Sequence, residues 1–496
     1  MKIIIPDISN PETVAMLQAL YSRSDTSVEE HLKDLHSDDT AINEKEQKLQ
    51  KKMQKFYIGY GHDSIGDCGS TTVFIEGVSI IAAKAIQDTP LYSGQESSTR
   101  YLDFSNQSEK VKDNLKENYP QFYEIDPEKI DAMVDEYFVL YKEITHTMQH
   151  HKAAILGMNL NAVDPVVRRS INAWAFDVAR GFLPAGTITQ LSFHGSLREL
   201  RRHFMELKNH AVDEVSHIAI NVLKKLHEKY PSSFKDTDYL LGYLQTNSME
   251  ESYPAEIISM EESYHALLGY PLMQNHSPVI WSACSTTAAV FDGSEKRRST
   301  IKDGVIGIHS TPLLTLDYGS WRDLQRHRNG ICEATIPQLL TIYNSERRTD
   351  NPLMIHDWYL KNTNTYPNLQ IAINEFHSKL YSWFGRLLSM CEESEEQDRI
   401  HSFISYLLPL GCLVPVSVFY SLEQWDYVFD LRLRDTVHPT LVEFLSKVVY
   451  EIGKKVPYFI SKYEERIMLL ERNQEELSKQ RGKQTIILED GTATSD

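Results

Sequence analysis

A chain of 496 residues exceeds one ordinary domain, and 41% hydrophobic with 24% charged residues leaves enough apolar surface for a substantial core. A formal charge of −18 and a pI near 5.5 exclude a broad nucleic-acid face, yet leave room for a small anion held by clustered arginines. Five cysteines (Cys68, Cys284, Cys332, Cys391, Cys412) without a Cys-x-x-Cys pair argue against a disulfide framework or zinc site and fit a reducing cytoplasm.

In chain order, Met1 to Asp7 is too short in its apolar run for a secretory signal and reads as a first strand. Gly59-Tyr60-Gly61 lacks the third glycine of a dinucleotide fingerprint, since Ser64 stands there. Residues 72–76 read as a strand, 79–87 as helix, and 90–94 as a loop; most of 110–230 reads as helix. Residues 246–254 are polar and rich in breakers, a linker, and 292–304 read as a solvated loop. Residues 305–308 and 313–316 read as strands, and 365–480 mostly as helix, with Glu392 to Glu396 an exposed helix end. The uncharged run from Ile404 to Leu422 has the length of a membrane span. Pro409, Gly411 and Pro415 interrupt it, so it reads as a buried helix–turn–helix. The expected class is α+β with helix-rich lobes.

An internal repeat organises these elements. Asp177-Val178-Ala179-Arg180-Gly181-Phe182-Leu183-Pro184 corresponds to Phe403-Ile404-Ser405-Tyr406-Leu407-Leu408-Pro409. An aromatic-containing run follows each, Leu191-Ser192-Phe193 or Val418-Phe419-Tyr420. Next come helices holding Met205-Glu206-Leu207-Lys208 or Phe429-Asp430-Leu431-Arg432, and then helices with Glu214 or Glu443. Pro184 and Pro409 are 225 positions apart, and Pro231 and Pro457 are 226 apart. The expected division is a first repeat at 1–235, a linker at 236–254, a second repeat at 255–465, and a C-terminal helix with a mobile tail at 466–496.

Two strings carry the chemistry. Gln95-Glu96-Ser97-Ser98-Thr99-Arg100-Tyr101, after Gly94, can surround a phosphate with hydroxyl and backbone donors, while Arg100 supplies a bidentate fork. Glu96 suits hydroxyl or amide groups instead. Arg322-Asp323-Leu324-Gln325-Arg326-His327-Arg328 packs three arginines into seven positions, which is costly unless an anion or water answers them. On a helix, Arg322 and Arg326 would share a face, and His327 between two arginines would be neutral near pH 7.

These strings resemble the two parts of the signature of flavin-dependent thymidylate synthases, in which Glu-x-Ser-x-Arg-Tyr normally follows Arg-His-Arg directly. Here the parts lie in different repeats. The Arg-His-Arg slot before Ser98 falls on Asp88-Thr89-Pro90, and the serine slot after Arg328 falls on Ile336. The family's arginine before Leu-Pro is Arg180 in the first repeat but Ser405 in the second. Its later Leu-Arg is Leu431-Arg432 in the second repeat but Leu207-Lys208 in the first. Gly66-Asp67-Cys68 replaces the usual Phe-Glu-His, and Asp323 stands where a base-contacting Gln is common.

The resemblance implies reductive methylation of dUMP at C5 with methylenetetrahydrofolate, FAD and NADPH, at one composite site shared by the repeats. It assigns Glu96, Ser97, Ser98, Thr99, Arg100, Tyr101, Arg180, Asp323, Arg326 and Arg432 to the nucleotide. Of these, Arg432 and Arg326 are catalytic, and Arg100, Arg180 and Arg326 hold the phosphate. It assigns His62, Ser64, Glu96, Arg198, Arg326, His327 and Arg328 to FAD, and no metal. A homodimer would reproduce the family's four-unit assembly, with neither nucleic acid nor membrane as partner. Methylation of UMP or dCMP, a nucleotide sensor without catalysis, and a structural partner are the alternatives.

Overall fold

The computed structural model describes residues 10–21, 63–234, 279–283, 305–309, 316–334, 353–389, 394–472, 486–487 and 493–494. The expected first strand, the linker, the 292–304 loop and His62 lie outside them, and of the tail after Gly482 only the paired short strands 486–487 and 493–494 are described. The chain is α+β, helix-rich with short sheets, as expected. It divides into two compact units. The first comprises Met1–Glu76, Ala85–Glu96 and Gln190–Asn275; the second comprises Gly77–Lys84, Ser97–Thr189 and His276–Asp496.

In the first unit, helix α1 (Pro11–Tyr21) starts where the Asn10 side chain accepts from the backbone N–H of Glu12 at 2.9 Å. Buried Glu12 then accepts from the N–H and hydroxyl of Ser233 at 2.9 and 2.7 Å. Strand β1 (Ser70–Ser79) pairs with β2 (Ile188–Ser196). Helix α6 (Leu197–Leu207) follows β2 directly, because Ser196 caps it by accepting from Glu199 N–H at 3.1 Å. Its Leu197, Leu200, Phe204 and Leu207 recur at helical spacing and are buried.

In the second unit, helix α2 (Ile80–Gln87) begins and helix α4 (Pro127–Ile155) is the longest element. Asp126 caps α4 by accepting from Lys129 N–H, and Pro127 occupies its first turn, where a missing N–H costs nothing. Ile130, Val134, Tyr137, Tyr141, Ile144 and Met148 form its buried stripe, each contributing about 1.5–3 kcal/mol of apolar burial. Against α4 pack helices α5 (Pro165–Ala179) and α10 (Pro367–Ser389), with Tyr137 and Phe376 edge to face at 4.6 Å. Helix α3 (Ser108–Asn118) precedes them, and α7 (Asp213–Lys229) completes the first unit.

A four-stranded antiparallel sheet in the order β3–β4–β8–β6 joins Val279–Ala283, Val305–His309, Val416–Ser421 and Gly330–Ala334. Ile306 stands opposite Tyr420, and Cys332 opposite Val418. A smaller pair joins β5 (Leu316–Asp317) and β7 (Leu413–Val414). Helices α8 (Tyr318–Leu324) and α9 (Asp357–Thr363) follow β5 in sequence; α11 (Ser394–Leu407) precedes β7. Beyond β8 come α12 (Leu422–Arg432), α13 (Pro439–Gly453) and α14 (Tyr458–Arg472). Ser421 caps α12 through Gln424 N–H at 3.1 Å, as Ser196 caps α6 exactly 225 positions earlier.

The reading of 404–422 as a helix–turn–helix is corrected. Helix α11 ends at Leu407, the Pro409–Gly411 turn leads into β7 and β8, and α12 starts at Leu422. Pro409 follows the helix end, Pro415 separates β7 from β8, and the β-branched Val416 and Val418 lie in β8, which pairs with β4 and β6.

The two Leu-Pro turns meet. Ala185 N–H donates to Leu408 C=O and Leu410 N–H to Leu183 C=O, both at 2.8 Å; Gly186 N–H donates to Tyr406 C=O and Gly411 N–H to Gly181 C=O, also at 2.8 Å. Each bond maps onto another under the 225-residue shift, the reciprocal pattern of a two-fold contact. Glycine is required here by contact: a Cβ on Gly181 would lie 2.4 Å from the Tyr359 ring, and one on Gly411 2.7 Å from Gly181 O.

Candidate functional site

Beside this crossing, within the second unit, lies a cavity of about 460 Å³ whose walls come from both halves of the sequence. One wall is the turn at 97–101, closed by Tyr101 N–H and Leu102 N–H on Ser98 C=O at 3.3 and 3.1 Å. The turn carries Arg100 onto Asp177, in the last turn of α5. Arg100 Nη2 donates to Oδ2 at 2.9 Å, and Nε lies 2.9 Å from Oδ1. Three residues on, in the short turn Arg180–Phe182, Arg180 is buried. Its Nε and Nη2 have no hydrogen-bond partner among the described residues, and Nη2 lies 3.5 Å from Asp323 Oδ2. Burial opposes its charge, but Tyr359, Asp323, Asp177 and Asp317 outweigh burial and hold its pKa above the ordinary value.

The facing wall begins at Asp317, which caps α8 by accepting from Ser320 N–H at 3.0 Å. The helix expected to carry Arg322 and Arg326 on one face ends at Leu324, so Arg322 is buried on α8 whereas Arg326, in the following turn, is half exposed. Gln325 N–H makes the last helical bond, to Trp321 C=O, and beyond it His327 N–H closes a tighter turn on Leu324 C=O. Both arginines nevertheless line the cavity. Arg432, the last residue of α12, donates from Nη2 to Asp323 C=O at 3.1 Å and from Nε to His327 Nε2 at 2.7 Å.

The electrostatics follow from this packing. Burial would raise the Asp323 pKa, but Arg180, Arg326, Arg432 and Arg100 pull it down to about 2. Burial, with Arg432 beside it, lowers His327 to about 3, so the ring is neutral and its Nε2 lone pair is free to accept from Arg432. This agrees with the neutral ring expected for His327. Burial likewise lowers Arg432 from its ordinary value, with Asp323 opposing. Six arginines and two aspartates line the cavity, giving a net positive pocket on a chain of charge −18. Such a pocket is electrostatically complementary to an anion.

Of the residues singled out in the sequence, Ser97, Ser98, Thr99, Arg100, Tyr101, Arg180, Asp323, Arg326 and Arg432 line this one cavity. His327 stands behind Arg432, and Arg328 Nη1 donates to Arg326 C=O at 3.3 Å. Ser64, Glu96 and Arg198 belong to the first unit. There Glu96 Oε2 accepts from Gln87 Nε2 at 3.1 Å, Arg198 pairs with Asp67 at 2.9 Å, and Ser64 sits in the turn Asp63–Cys68.

Sequence reasoning missed Trp174, Arg434, Thr436 and His438, which also line the cavity. His438 is held by Ser320 Oγ and Thr440 Oγ1 at Nδ1 (3.2 and 2.8 Å), and its Nε2 meets Asp177 C=O at 3.2 Å. Thr440 in turn donates to Asp317 at 2.6 Å. Among the described residues no cluster of three or more metal-ligating side chains occurs, and no helix is long and apolar enough to cross a membrane.

The chain is similar to three UPF0159 proteins. One from Chlamydia pneumoniae is 26% identical over 461 residues, covering 83% of this chain and 80% of that protein. One from Chlamydia muridarum is 24% identical over 326 residues (57% and 60%), and one from Thermoplasma acidophilum 24% over 344 residues (56% and 66%). The chain thus spans less than two thirds of the length of the last two. A family profile described as thymidylate synthase complementing protein matches residues 5–232. The first half of the chain is thus similar to that family.

Proposed function

We propose that this protein methylates dUMP to dTMP reductively, with methylenetetrahydrofolate as carbon donor and NADPH as electron source, at a composite site formed by two tandem repeats. The observation that carries this reading is the shared cavity: Ser97 to Arg100 and Arg180 from one half face Arg322, Arg326 and Arg432 from the other. FAD, when bound, supplies the hydride chemistry, and the protein supplies orientation and field.

The donor set suits anionic ligands, since Arg180 keeps buried donors without hydrogen-bond partners. Ser98, Thr99 and Arg100 take the 5′-phosphate, and Asp177 holds the Arg100 fork in place. Arg432 faces the uracil and stabilises negative charge developing on it. Neutral His327 accepts from the Arg432 Nε and so fixes the guanidinium without opposing its charge. Arg326, half exposed at the cavity, and Arg328 are the cations assigned to the flavin diphosphate.

The test is an absorbance spectrum of freshly purified protein, followed by tritium release from 5-labelled dUMP with folate and NADPH. A flavin spectrum and nucleotide-dependent release are expected. A colourless protein that stays inactive after incubation with FAD would overturn the proposal.

A further inference from the structure

We propose that Tyr359 is a positioning residue for Arg180: its hydroxyl, anchored from behind by Asp317, fixes the guanidinium while leaving donors of that arginine open to a ligand. The inference rests on the nucleotide reading above and adds to it a residue that neither motif string contains.

Tyr359 lies in the first turn of α9 and is completely buried. Its ring meets that of Phe182 edge on at 6.2 Å and lies 5.5 Å from that of His438. It also fills the space a side chain would need at both Leu-Pro turns, since a Cβ on Gly181 or Gly411 would stand 2.4 or 3.1 Å from it. Packing of this density fixes the ring and so the direction of its hydroxyl. The hydroxyl donates to Asp317 Oδ1 at 2.9 Å. Asp317 is buried as well, and its other partners are donors: Ser320 N–H at 3.0 Å on Oδ1 and Thr440 Oγ1 at 2.6 Å on Oδ2. A carboxylate only accepts, so the single phenol proton is committed to it. Burial first, and then the Asp317 charge, hold the phenol pKa well above its ordinary value and keep it neutral. The oxygen has lone pairs left, and Arg180 donates to them.

The cation is thereby held without being neutralised. Arg100 is the contrast, with both Asp177 oxygens 2.9 Å from its guanidinium. Arg180 stands 3.5 Å from Asp323, and its buried Nε and Nη2 have no hydrogen-bond partner among the described residues. A phenol interposed between Asp317 and Arg180 passes on part of the carboxylate's stabilisation without occupying the fork. Arg432 is held in the same manner, by the neutral ring of His327. In both cases a neutral acceptor aims an arginine whose charge stays available to the ligand.

The test is isothermal titration of the full chain with dUMP for wild type, Tyr359→Phe, Arg180→Gln and the double variant, with melting temperatures to confirm folding. Tyr359→Phe keeps the ring and removes the hydroxyl alone. It is expected to bind about tenfold more weakly, the loss of one hydrogen bond to a charged group. On the Arg180→Gln chain the same change should cost about twofold or less, because the hydroxyl acts through that arginine. In tritium release the loss should fall on KM for dUMP, with kcat within about twofold, because Arg180 binds and does not react. Asp317→Asn is the second variant, since Asn starts a helix as well as Asp and α8 keeps its cap. It weakens the anchor of the phenol and should lower affinity about threefold, again only where Arg180 is present. Unchanged binding in both single variants, equal losses with and without Arg180, or a loss confined to kcat overturns the inference alone. Failure of folded wild type to bind dUMP overturns the nucleotide reading and this inference with it.

Discussion

Arg432 and His327 are joined by a 2.7 Å hydrogen bond in which the guanidinium donates and the imidazole accepts. That polarity requires an unprotonated ring. The His327 pKa falls from 6.5 to about 3 on folding, through burial first and Arg432 second. Between those values the unfolded chain binds the proton that the folded chain refuses. Stability from this group is thus full above 6.5 and is lost as pH drops towards 3. The expected loss is about 1.4 kcal/mol per pH unit within the window. Melting temperatures from pH 7.5 to 5 should therefore fall less steeply for His327→Gln than for wild type. Parallel curves would disprove the neutral-acceptor role.

Asp177 keeps Arg100 aimed at the cavity. Asp177→Asn should weaken dUMP binding about tenfold, because the fork loses the partner that orients it. It should also cost about 1–3 kcal/mol of stability, less than for a fully buried pair because Arg100 is 29% exposed. Calorimetry and denaturant titration read the two effects separately.

Arg326→Ala should lower tritium release about 100-fold or more, because the cavity loses a cation that holds the flavin diphosphate in place. Asp88→Ala is the contrast, since Asp88 occupies the corresponding slot of the first half and is exposed. Release within about twofold of wild type is expected, the small effect of a surface change. Comparable losses in both variants would contradict a single composite site.

The crossing of the Leu-Pro turns leaves no room for side chains. Gly411→Ala and Gly181→Ala should each destabilise by about 2–4 kcal/mol, since the new methyl meets a backbone oxygen or the Tyr359 ring. Thermal unfolding of the two variants tests this, and an unchanged melting temperature in either would refute it.

Two repeats per chain favour a homodimer in solution. Light scattering should give twice the 57.1 kDa chain mass. A stable, fully active monomer would rule this out.

Chain-local physics made much of this legible from residues alone. The helix at 197–207 announces itself through Leu197, Leu200, Phe204 and Leu207, and the strand at 305–309 through its β-branched run. The arginine clusters were visible because like charges packed along a chain require an answer. The 225-residue spacing was visible because it is counted along the chain.

Tertiary structure decided what depends on neighbours distant in sequence. Strand β8 is a strand because β4 and β6 flank it, though 404–422 alone reads as helix. Arg322 and Arg326 differ in burial because α8 stops between them. His438 matters only because Asp177, 261 positions away, offers it a carbonyl. Composition and periodicity determine which surfaces a segment must bury, a short-range property of the chain. Which carboxylate is spent on an arginine and which stays open to a ligand is a matter of distances of a few ångströms, and these exist only once the halves have packed.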